Sequence, residues 1–122
     1  MRKIILTTVA LVALCSPVFA QSDADMKKAE DNFYAGMTSM SAALEQQRDT
    51  VCPKQTQSAD QFICKIQFAS AMALTSTIKF SQMAVKTNAM TGNKDGFEKA
   101  KKDLDQAFAN LKVQLDQLSK WK

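Results

Sequence analysis

The sequence predicts an all-α fold: a small up-down-up three-helix bundle with one helical hairpin pinned by a disulfide. Three observations lead there. Apolar residues recur at three- and four-residue steps over about 23–49, 58–90 and 94–120. Short polar breaks around Pro53 and Gly92 separate these segments, and Cys52 and Cys64 flank the first break. Nothing in the chain has the two-residue alternation or the Val/Ile/Tyr clustering of a strand.

The first segment starts at a capping residue, Ser22 or Asp23. Asp23, Asp25, Glu30 and Asp31 put negative charge toward the positive end of its helix dipole. Met26, Ala29, Phe33, Met37, Met40 and Leu44 make its apolar stripe, and Tyr34 lies off it. Gly36 costs about 1 kcal/mol against Ala inside a helix, which hints at a close backbone approach. The helix is expected to fade near Arg48 to Thr50, because Cys52 precedes Pro53 and a residue before proline disfavours the helical region.

The second segment is the long centre of the chain. Ser58 and Gln61 fit a capping box at its start. At about 100° per residue, Phe62, Ile66, Ala73, Phe80 and Ala84 share one face, while Ile63, Ala71, Leu74, Ile78 and Val85 share a second. Small residues, Ser70, Thr77 and Ser81, fall between them. Two apolar faces call for two partner helices. The remaining sector carries Lys65, Lys79 and Lys86, so water is expected there. Met72, Met83 and Met90 fall on the same line, with Phe68 at its edge. A merely solvated face more usually carries Glu, Gln, Ser or Lys at such positions.

Thr91-Gly92-Asn93 ends this helix, with Gly92 suited to a left-handed cap, and Asn93 or Asp95 caps the third. Phe97, Ala100, Leu104, Ala107, Phe108, Leu111, Leu115, Leu118 and Trp121 form the third helix's apolar face. Its opposite face mixes lysines and acids, as solvated helix surfaces do.

At 122 residues there is room for a single domain, expected over 21–122. Residues 1–20 have the pattern of a secretory signal peptide: Arg2 and Lys3, an apolar run from Ile4 to Leu14, and a small-residue cleavage site at Val18-Phe19-Ala20. Acylation of Cys15 as a lipoprotein is less favoured, because the residue before it is Leu14 rather than a small one. Export leads to a periplasmic or secreted destination. After cleavage, 14 bases face 12 acids, a net charge of +2. That is no dense basic surface, so nucleic acid is not an expected partner. The mature chain has no apolar run of transmembrane length. An exported protein that keeps one cysteine pair is expected to join Cys52 to Cys64 as a structural bridge, and the C-x-x-C spacing of redox centres is absent.

The chain contains no histidine. That removes the commonest general base, the usual nucleophilic triads and the most frequent zinc and haem ligand. Only three glycines exist, and none makes a phosphate loop. An enzyme is therefore not expected, and no cofactor is implied. Methionine clusters bind copper(I), and Met26 could come level with Met83 and Met37 with Met72 in the first hairpin. Core filling is the simpler use of Met26, Met37 and Met40, and Lys65 and Lys79 oppose a cation near Met72.

The functional expectation is an exported, non-enzymatic helical protein that acts by binding another protein, in the manner of inhibitors, immunity proteins or envelope chaperones. Its candidate surface is the strip of Lys65, Phe68, Met72, Lys79, Met83, Lys86 and Met90: adaptable methionines beside lysines that steer an acidic partner. A second subunit could instead cover the strip. The alternative expectation is a carrier holding an apolar small molecule between the helices, suggested by Gly36, Ser70, Thr77, Ser81 and the abundant Phe and Met.

Overall fold

The computed structural model describes residues 23–121 as three helices. Helix α1 spans Asp23–Val51, α2 spans Ser58–Met90 and α3 spans Lys94–Leu118, with a 3₁₀ turn over Cys52–Lys54. No strand occurs among the described residues. The expected signal segment, 1–20, lies outside them. The fold is the expected all-α helical bundle.

The first break is built by Pro53 and two glutamines. Pro53 sits at the start of the 3₁₀ turn, where a missing N–H costs nothing, so α1 runs on to Val51 rather than fading near Arg48. The Gln55 side-chain Nε2 donates to the Val51 carbonyl at 3.1 Å, satisfying one orphan acceptor at the helix end. Gln61 does not close a capping box with Ser58. Its side chain donates instead to the Gln55 carbonyl at 2.7 Å, and Gln57 takes the N-cap position. The Cys52–Cys64 bridge is present, with an S–S distance of 2.03 Å, and both cysteines are fully buried. It fastens the 3₁₀ turn that follows α1 to the second turn of α2.

The second break is a glycine cap. The Asn93 amide donates to the Asn88 carbonyl at 3.0 Å and the Gly92 amide to the Ala89 carbonyl at 3.3 Å, the paired bonds of a Schellman motif. Gly92 supplies the left-handed residue that the motif needs, at φ 72°. Space around it is open, so a side chain there meets only backbone strain. Gly92→Ala is expected to lower stability by about 1–2 kcal/mol, read as a shifted urea midpoint with an unchanged slope. Asn93 then caps α3, its side-chain oxygen accepting from the Gly96 amide at 3.0 Å.

All three helices contribute to one core. Phe33, Met37, Met40 and Leu44 enter from α1; Cys64, Phe68, Ala71, Thr75 and Ile78 from α2; Ala107, Leu111 and Leu118 from α3. Thr75 is the one polar residue in this buried set, and its hydroxyl donates to the Met72 carbonyl at 2.6 Å. Phe33 meets Phe108 edge-on at 6.5 Å, joining α1 to α3. Helix α3 ends at Leu118, two residues before the expected limit. Trp121 then folds back so that its indole N–H donates to the Gln67 side chain at 2.7 Å.

The partition of α2 differs from expectation. Of the two faces expected to meet neighbours, the one carrying Ala71, Leu74, Ile78 and Val85 does so, with Ala71 and Ile78 fully buried and Ile63 at its exposed end, while the one carrying Phe62 does not. Helix α1 covers part of the sector that carries the lysines and methionines, at Phe68, Met72 and Lys79, where water was expected, and the Phe62–Phe80 face is left to solvent. Helices α1 and α3 each offer one apolar stripe, and two stripes cannot cover three apolar sectors.

Candidate functional site

The seven residues of the strip divide between core and surface. Phe68 is 1% exposed and part of the core, and Met72 is half-buried against it. The Lys79 ammonium donates to the Thr38 hydroxyl of α1 at 2.8 Å. Lys86 pairs with Glu30 of α1 at 2.6 Å. Lysine tolerates this covered sector because its methylene stem packs along apolar surface while the ammonium reaches the edge. Lys65, Met83 and Met90 are exposed. The strip is thus shared: Phe68, Met72 and Lys79 lie in the seam between α1 and α2, Lys86 pairs across its edge, and Lys65, Met83 and Met90 face solvent. Met37 and Met40 lie fully buried beside Phe33 and Leu44.

The largest exposed apolar groups stand elsewhere on α2. Phe62 is 65% exposed, Phe80 70%, and Ile63 and Ile66 nearly half exposed. Phe62, Ile66, Ala73 and Phe80 recur on one side of the helix, with Ala69 and Thr77 beside them, also exposed. From Phe62 to Phe80 the stripe is about 27 Å long, at 1.5 Å per residue. Between these two phenylalanines, Lys65 and Lys79 are the charged residues, and Lys79 is turned toward α1.

The stripe continues across a shallow open groove onto α3. The groove encloses about 440 Å³ and is lined by Ser70, Ala73, Leu74 and Thr77 of α2 and by Asn110, Val113 and Gln114 of α3. Val113 is itself exposed. None of these lining residues titrates, and their polar groups are hydroxyls and amides without a neighbouring base. The Gln114 side-chain oxygen is buried without a hydrogen-bond partner among the described residues. Lys112 falls outside this flank of α3 by helical phase, and Asp116, one turn beyond Val113, borders it. The resulting face is apolar at its centre, amide-bearing on one side and charged only at its edges, by Lys65 and Asp116.

Tyr34 presents a different feature. Its hydroxyl is buried without a hydrogen-bond partner among the described residues, and burial, reinforced by the Glu30 carboxylate, raises its pKa above the ordinary value. Phe33 packs edge-on against its ring at 5.3 Å. No group of three or more Cys, Asp or Glu side chains capable of holding a metal occurs among the described residues.

The sequence reading grouped Phe62, Ile66, Ala73 and Phe80 correctly on one face but gave that face a helical partner. The usable signal was the count of stripes: α1 and α3 have one each. A third apolar sector on α2 must then stay open.

Fold and site together define a disulfide-pinned three-helix bundle with an open apolar face on its central helix. No known protein family matches the chain, and neither a characterised protein nor a solved structure is similar to it. No helix among the described residues is long and apolar enough to cross a membrane.

Proposed function

We propose that this chain is an exported, non-enzymatic protein that works by docking another protein, and that the docking face is the Phe62–Ile66–Phe80 stripe with the Val113 flank of α3. One observation carries the reading: two phenylalanines, about two-thirds exposed, stand on a regular helix whose bundle already has a filled core. Fully burying a side chain of that size is worth about 1.5–3 kcal/mol, so an open face of this kind favours a partner. The charge-poor centre with a polar rim is the composition of a protein interface. Export is supported by the signal-type segment at 1–20 and agrees with the Cys52–Cys64 bridge, since such bridges persist in oxidising compartments.

The geometry favours protein docking over carriage of a small apolar molecule. Carrier sites enclose most of their ligand, whereas the groove beside the stripe is shallow, open and half polar in its lining.

Affinity capture from envelope and secreted fractions tests the proposal, with oxidised residues 21–122 as bait. A stoichiometric partner is expected, and it should be lost with Phe62→Asp/Phe80→Asp while helical circular dichroism and the unfolding midpoint hold. Capture that is indifferent to both substitutions sinks the proposal.

A further inference from the structure

The geometry points to a second copy of this chain as an occupant of the stripe, packed antiparallel across a two-fold axis. This rests on reading the stripe as a protein-docking face, and it names the partner.

The first ground is the order of residues along the stripe. Phe62 and Phe80 lie equidistant from position 71, and so do Ala69 and Ala73. A two-fold interface requires that when residue i meets residue j, j also meets i. In the antiparallel register centred on 71, Phe62 of each copy faces Phe80 of the other, and Ala69 faces Ala73. All four positions are exposed. The small central pair lets the helix axes approach to about 8 Å, and the phenylalanines close the two ends. Ile66 then faces Ser76, which is also exposed and leaves room for the larger side chain.

Opposed helix dipoles favour the antiparallel direction. Lys65 of each copy then comes within two residues of the level of Lys79 of the other copy, whose ammonium is turned onto Thr38 of its own α1.

Area sets the strength. The face is about 27 Å long and two helices wide, roughly 500 Å² per copy and about 1,000 Å² in all, at the threshold of a specific interface. The expected product is a weak dimer that dissociates on dilution.

Sedimentation equilibrium of oxidised residues 21–122, across a hundredfold concentration range at low salt, reads this directly. The wild-type mass is expected to rise from monomer toward dimer. Phe62→Asp and Phe80→Lys are each expected to weaken association at least about tenfold, which is 1.4 kcal/mol, with circular dichroism and the unfolding midpoint unchanged. The Phe62→Asp/Phe80→Lys double variant should recover association, because in the antiparallel register each new acid faces a new base. Failure of that rescue overturns the register, and a dimer that withstands both single substitutions overturns the stripe as its interface. A wild-type monomer at every concentration overturns self-association. If envelope capture by that monomer is still lost with Phe62→Asp/Phe80→Asp, protein docking at the stripe stands without the dimer; if capture persists, both proposals fall.

Discussion

Phe68→Ala is expected to lower the free energy of unfolding by about 3–5 kcal/mol, whereas Phe80→Ala changes it by no more than about 0.5 kcal/mol. The two residues have the same chemistry, stand on the same helix and are separated by about three turns. Phe68 is 1% exposed within the core, and its removal leaves a cavity that the surrounding side chains cannot fill without leaving their rotamers. Phe80 is 70% exposed, so little apolar area returns to water when it is trimmed. Urea denaturation followed by helical circular dichroism, at protein concentrations low enough to keep the chain monomeric, separates the two. Equal losses for Phe68 and Phe80 would mean that the α2 face assignments are wrong.

Loss of the disulfide is expected to have the next largest effect. Cys52 and Cys64 are twelve residues apart, and the chain-entropy account gives a loop of that size about 3 kcal/mol, drawn from the freedom that the bridge removes from the unfolded chain. A domain of about 100 residues holds only about 5–15 kcal/mol in all, so a large fraction is at stake. Cys52→Ala/Cys64→Ala should therefore shift the guanidinium midpoint strongly downward, and reduction of the wild type should match it. Both cysteines are fully buried at the α1–α2 corner, where they help hold α1 against α2. An unchanged midpoint after complete reduction would show that the corner is held by packing and by the Gln55 and Gln61 bonds alone.

Much of the architecture was legible because it is local. Helix-period patterning located all three helices to within two residues at every end. Gly92 announced the left-handed cap, and Asn93 the N-cap that follows it. The pairing of Cys52 with Cys64 followed from there being only one partner left after Cys15. Where local chemistry had equal alternatives, the expectation missed: Gln61 found the Gln55 carbonyl in place of Ser58, because the 3₁₀ turn brings that carbonyl within reach.

The candidate site was legible only in part. Phase arithmetic shows which residues of α2 share a side, and it grouped Phe62, Ile66, Ala73 and Phe80 correctly. It also drew the lysine strip toward water, since charge is the usual mark of a solvated face. In the folded chain part of that strip meets α1, because Lys79 and Lys86 can lie along the seam and bond to Thr38 and Glu30 at its edge, while Lys65, Met83 and Met90 do face water. Period, caps and the cysteine pair thus dictate helices, breaks and the bridge from the residues themselves. Which side of α2 stays open is set when α1 and α3 dock, because two stripes compete for three sectors and their relative burial energies, summed over many distant contacts, choose the one left in solvent.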